Sequence, residues 1–266
     1  MWGRLVPFAA LLLLETPLNY VGLICHEGGH GVVALAQGGT FTGILITQTG
    51  SYALASSSLV WIGGWAGQYV LAVAALLLYW KARPRSFLGR SVLVVLAVQN
   101  LLNEPPYIAS LQNDSEGALR SLETLGIGAS ASAILLVAIA LALGAIGGYA
   151  AWKVVKNYLS SIFDWMTTRR AKWAALFFIV GSGAEVWVGY FVPSIASVTT
   201  SPLVLIPALI AFFLLLSLVV VPPPPPEFVQ SRRQGPSIPT LTFIMILFIE
   251  AQIVFFLSLP LTIPFP

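Results

Sequence analysis

Charge is what this chain lacks. Only 9% of its 266 residues are charged, 13 basic and 10 acidic, against about 25% in an ordinary soluble domain. With 58% apolar residues and a mean hydropathy of +0.89, it reads as a multi-pass integral membrane protein, placed in the cell membrane. The net charge of +3 is too small, and its basic residues too scattered between apolar segments, to suggest a nucleic-acid surface. Cysteine is almost absent. A single Cys25 excludes an internal disulfide and leaves the redox compartment unreadable. On a helix it lies about 100° around from its neighbour His26, so it reads as a small apolar packing residue. No cleavable signal peptide is expected, because the first apolar stretch runs straight into the most distinctive motif.

Histidine is nearly as scarce, and its two copies stand together. His26-Glu27-Gly28-Gly29-His30 puts both four residues apart inside an apolar segment. Four residues is about one helical turn, so the two imidazoles share a face. Two imidazoles so placed suit one zinc ion, and Glu27 beside them suits a general base on a zinc-bound water. The plainer alternative is a pair of packed helix histidines. Histidine is costly in lipid without a partner, which favours the metal.

Seven apolar segments approach spanning length, at about Leu5–Ala36, Ser57–Trp80, Ser91–Leu102, Gly128–Val154, Trp173–Val192, Pro202–Val221 and Leu241–Leu261. Glu15-Thr16-Pro17 is expected to kink the first. The third is short and should continue as a broken helix through Asn103–Pro106. Between the first two, Thr40–Ala55 is β-branched and partly alternating, with a Gln-Thr-Gly-Ser turn, and reads as a hairpin or edge strand. Residues 156–172 carry Tyr158, Leu159, Ile162, Phe163 and Met166 at helical spacing between basic ends, which suggests an interfacial amphipathic helix. Pro222–Pro226 opens a Pro-rich loop, 222–238, whose proline run spans about 16 Å. The expected fold class is therefore an all-α polytopic membrane protein of about seven transmembrane helices, with a short β-hairpin after the first. Residues 1–126 form a three-helix core with the hairpin, and 127–266 add a four-helix region.

Basic residues sort by loop. Lys81, Arg83, Arg85 and Arg90 fall in one connection, Lys153, Lys156, Arg169, Arg170 and Lys172 in another, and Arg232 and Arg233 in a third. With seven spans these loops share a side with Arg4, and the excess of positive charge makes that side cytoplasmic.

A catalytic zinc site has three protein ligands, and HEGGH supplies two. With no further histidine, the third should be a carboxylate from Glu15, Glu104, Asp114, Glu116, Glu123, Glu185 or Glu250. Glu185 and Glu250 sit in later apolar segments, where a carboxylate lines a polar path or bonds between helices. Gly28, Gly29 and Gly31 would permit close approach of a Gly63-Gly64…Gly67 face.

The motifs resemble the site-2 protease family of intramembrane zinc metalloproteases, as a short, divergent member. The resemblance covers about residues 18–126. It rests on HEGGH, the hairpin-like segment after it, Ala66-Gly67-Gln68 where the family often has Ala-Gly-Pro, and Asn100-Leu101-Leu102 with Pro105 and Pro106 before an acidic pair. The family's Leu-Asp-Gly is absent. Asp114-Ser115-Glu116 resembles instead the Asp-x-Asp of shorter members, which makes Asp114 the third ligand, with Glu116 as the alternative. No PDZ or CBS domain is expected within these residues.

The resemblance implies a zinc metalloendopeptidase of regulated intramembrane proteolysis, acting on membrane-spanning protein substrates within the bilayer. Glu27 would be the base and Asn100 a donor to the oxyanion or a helix-to-helix bond. The Phe41–Thr47 strand would pair with an unwound substrate or serve as a structural plug. It also places the hairpin on the cytoplasmic side, opposite to the charge count. Two rivals stand beside the protease: a non-catalytic membrane scaffold or complex subunit that keeps a metal site, and an ion- or proton-coupled transporter using Glu185 and Glu250.

Overall fold

The computed structural model describes residues 2–46, 51–56, 58–113, 117–162, 167–191, 242–250 and 261–264. It is a helical protein with one small antiparallel sheet. Helix α1, Trp2–Ala36, continues through Pro17; there Gln99 Nε2 donates to the Glu15 carbonyl at 2.9 Å. It stops at a Schellman turn. Gly38 takes φ +73°, its N–H reaches Leu35 O at 3.0 Å, and the Gly39 N–H reaches Ala34 O at 2.8 Å. Gly39 is needed there too, since a Cβ would strike the Ser56 carbonyl.

That tight stop delivers the chain directly into β1, Thr40–Ile46, which pairs antiparallel with β2, Ser51–Ser56. The expected hairpin is therefore present. It is not an edge: β3, Leu261–Pro264, pairs with the other side of β1, giving the order β2-β1-β3. Sequence patterning within 40–55 carries no signal of a partner more than two hundred residues away.

Six helices follow among the described residues up to 191. They are α2, Val60–Leu77, continued by a π-helical turn at Leu78–Ala82, then α3, Phe87–Leu102, and α4, Glu104–Ser110. A 3-10 turn, Leu111–Asn113, leads towards α5, Ala118–Thr124, and α6, Ala129–Ile162. The last long helix is α7, Thr168–Phe191. Ser86 caps α3 by accepting the Gly89 N–H at 3.1 Å. Pro105 and Pro106 open α4, where a missing N–H costs nothing, so the break expected after Leu102 falls at Asn103.

The count of about seven transmembrane helices is corrected. Among the described residues three helices are long and apolar enough to cross a membrane: Val60–Ala82, Phe87–Ser110 and Ala129–Ile162. Apolar residues in this chain also build helices that are short or carry polar groups. Helix α1 carries Glu15, Asn19, His26, Glu27 and His30, and α7 carries Arg169, Arg170, Lys172 and Glu185. Pro202–Val221 and the Pro-rich loop lie outside the described residues, and Leu241–Leu261 is described only in part.

The expected amphipathic helix over 156–172 is divided. Its first half is the end of α6, its second half the start of α7, and Phe163 and Met166 lie outside the described residues. No breaker separates Val154 from Ile162, so α6 extends to 34 residues, about 50 Å, well past a hydrocarbon layer of about 30 Å.

Of the three spans, Phe87–Ser110 is the inner one, with 78% of its apolar window buried; Ala129–Ile162 is peripheral, with 17%. Ile134, Leu141 and Ile146 face outward on α6, as a lipid-facing side requires. One apolar cluster joins α1, α3, α6 and α7 through Leu14, Val94, Val98, Val154, Tyr158 and Ala175. A second joins α2, α4, α5 and α6 through Trp61, Ile108, Leu122 and Leu136. HEGGH sits where α1 meets α2, and the glycines make the meeting possible. A Cβ at Gly29 would strike the Gly63 carbonyl, one at Gly63 the Gly29 carbonyl, and one at Gly67 the Cys25 carbonyl. Backbones this close exchange weak Cα–H···O contacts that a bulkier residue would forbid.

Candidate metal centre

His26, Glu27 and His30 stack on one face of α1 and are 8%, 3% and 5% exposed, so the group is sealed inside the protein. Their possible ligand atoms all lie within 4.8 Å of one another. The imidazoles meet edge to face at 4.8 Å between centroids, and Tyr107 of α4 packs edge-on against His26 at the same distance.

Each ring has its Nδ1 engaged by an acceptor. His30 Nδ1 lies 2.5 Å from the Val60 carbonyl, which can only accept, so the hydrogen is on Nδ1 and the lone pair on Nε2. His26 Nδ1 lies 3.3 Å from Glu104 Oε1, and an ionised carboxylate imposes the same tautomer. Both Nε2 atoms then converge over Gly64 of α2, where an added Cβ would come within 2.6 Å of each. Two lone pairs thus face a place where α2 has no side chain. The donor set fits a zinc ion, whose ligands are neutral imidazoles oriented through their other nitrogen. The buried Glu104 Oε2 and Gln68 Oε1 have no hydrogen-bond partner, so this interior is polar beyond what its own contacts satisfy.

The remaining expected site residues fall as follows. Asn100 is buried on α3; its Nδ2 donates to Leu96 O at 2.6 Å and its Oδ1 faces Gly22 of α1, one turn before His26. Asp114 and Glu116 lie outside the described residues, directly after the 3-10 turn. Glu15 is eleven residues from His26 on one helix, about 16 Å along its axis, too far to join the histidines. Glu123 is exposed on α5, and Glu250 is exposed in the helical residues 242–250. The side chain of Glu185, on α7, lies outside the described ones.

Glu104 is the residue whose place the sequence did not single out. It stood among seven candidate carboxylates, and at 2% exposure its carboxylate lies against His26. Its signal was the Glu-Pro-Pro start of α4: a carboxylate at the head of a proline-opened helix, aimed back into the bundle. Tyr107, one turn on, was missed for the same reason. No family model, no curated protein and no solved structure matches the chain.

Proposed function

We propose that this chain is a zinc-dependent intramembrane endopeptidase acting on membrane-spanning proteins, in the manner of the site-2 protease family. The observation that supports this most is the convergence of two oriented Nε2 lone pairs over Gly64 with Glu27 buried beside them. His26 and His30 would hold the metal. Asp114, or Glu116, would complete the set; the chain reaches Asp114 seven residues after Tyr107, which already packs on His26. A bound zinc ion would supply Lewis-acid polarisation of the scissile carbonyl and of an attacking water.

The chain's own groups do the rest. Glu27 takes the proton of the attacking water on its carboxylate and returns it to the leaving amine. Glu104 holds His26 in the tautomer that presents Nε2. Asn100 Nδ2 gives one hydrogen to Leu96 O and keeps a second for the developing oxyanion. The packed α1–α2 glycine faces and the ring of Tyr107 exclude bulk water from the site. Both sides of β1 are filled, so an extended substrate would add at the outer edge of β2 or replace β3.

The test is Glu27→Gln in the full chain with a membrane-spanning substrate. The variant is expected to keep its zinc and to lose cleavage by at least about 100-fold. Unchanged cleavage would remove Glu27 as the base. Stoichiometric zinc with no cleavage by the parent of a panel of membrane-spanning substrates would favour the scaffold.

A further inference from the structure

At the far end of the bundle from the histidines lies a cavity of about 300 Å³ lined by Tyr79, Trp80, Arg83, Arg90, Asn157 and Ser161. We propose that it binds a phosphate group, that of an anionic phospholipid headgroup or a free phosphate. Two arginines line it, and neither is paired with a carboxylate among the described residues. A guanidinium presents a planar fork of donors that matches phosphate oxygens, and two around one cavity supply a charge that no carboxylate among the described residues pairs with.

The surroundings are built to hold them there. Arg90 Nε donates to the Pro84 carbonyl at 2.6 Å, which fixes that guanidinium at the cavity wall. Tyr79 donates to Asn157 Oδ1 at 2.9 Å, which leaves the Asn157 amide hydrogens for a ligand. Arg83 takes φ +46°, the one non-glycine residue with positive φ among the described residues. That left-handed residue ends the π-helical turn and turns the chain at the cavity's edge.

The position fits a headgroup. One span ends at Ala82 and the next begins at Phe87, so the cavity opens at the level of the membrane surface. Trp80, 42% exposed, stands there as interfacial tryptophans do. Lys81 lies beside it, and Lys153 and Lys156 rise from the neighbouring end of α6, so anionic lipid would be concentrated around the mouth. This inference does not depend on the metal.

The experiment measures binding of dioctanoyl phosphatidic acid to the full chain in phosphatidylcholine nanodiscs, with inorganic phosphate as competitor. Saturable binding is expected, weakened about tenfold in Arg83→Gln and in Arg90→Gln, and unchanged in Arg85→Gln, which is exposed and outside the cavity. Displacement by inorganic phosphate at the lipid's own concentration range would identify the free anion as the ligand; no displacement would identify the headgroup. Should Arg90→Gln fail to fold for want of its bond to Pro84, Arg83→Gln decides alone. Absence of saturable binding, or equal weakening by all three variants, would overturn the proposal in favour of diffuse surface charge.

Discussion

The two histidines differ in how they are held, and that difference predicts different sensitivities. His30 leans on a backbone carbonyl, which no side-chain substitution can remove. His26 leans on Glu104, which one can. Glu104→Leu should therefore weaken zinc binding by about 10- to 100-fold, and Glu104→Gln by less, since an amide oxygen still accepts from Nδ1. Competition with a chromophoric chelator measures this, and affinities equal to the parent's in both variants would show that Glu104 does not act on the metal. Gly64→Ala is a sharper change, because its methyl would occupy the point on which both Nε2 atoms converge. It should abolish zinc binding, the buried rings having to move aside to admit it; retention of full affinity would place the metal elsewhere. HEGGH was legible in sequence because residue spacing on a helix is local. Glu104 was not, because its contact joins residues 78 apart and the choice among seven carboxylates needed the third dimension.

At the level of helices, the glycines of α1 look alike in sequence and are unlike in place. Gly29 meets the Gly63 backbone, whereas a Cβ at Gly28 would meet nothing within 4 Å. Gly29→Ala should destabilise the protein by about 1–3 kcal/mol through overpacking. Gly28→Ala should be neutral or stabilising by up to about 1 kcal/mol, the helix propensity gained. Thermal unfolding of both variants in one detergent checks the sign, and a shared sign would contradict the α1–α2 contact. The small-residue approach, the hairpin and the break before α4 were all readable, since each rests on glycine, proline or β-branched residues that punctuate the chain locally. What stayed hidden was non-local or a matter of extent. Nothing in Leu261–Pro264 announces a third strand on β1, and nothing between Val154 and Ile162 announces where α6 leaves the membrane.

For the molecule as a whole, two hydrogen bonds orient the bundle. Tyr79 to Asn157 and Ser91 to Tyr158 bring the end of α2, the start of α3 and the end of α6 together, so Lys81–Arg90 and the basic end of α6 share one face. Val60, at the start of α2, and Glu104, just past the end of α3, touch the histidines, so the metal centre and sheet lie towards the opposite face. The excess of positive charge predicts that the first face is cytoplasmic. In a chain whose Cys25 is replaced, a cysteine at Ser86 should then react with an impermeant reagent only from the cytoplasm, and one at Thr42 only from outside. The reverse pattern would invert the topology. Apolar runs read from the sequence overstated the spans among the described residues, because length, hydropathy and few charges must coincide along one helix, as they do in three.

The central claim, that α1 and α2 enclose a zinc site at His26 and His30, is tested most directly by the metal content of the purified full chain. About one zinc per chain is predicted for the parent and for Glu27→Gln, and none for the His26→Ala, His30→Ala double variant. Equal zinc in the parent and the double variant, or none in a folded parent supplied with zinc, would contradict it.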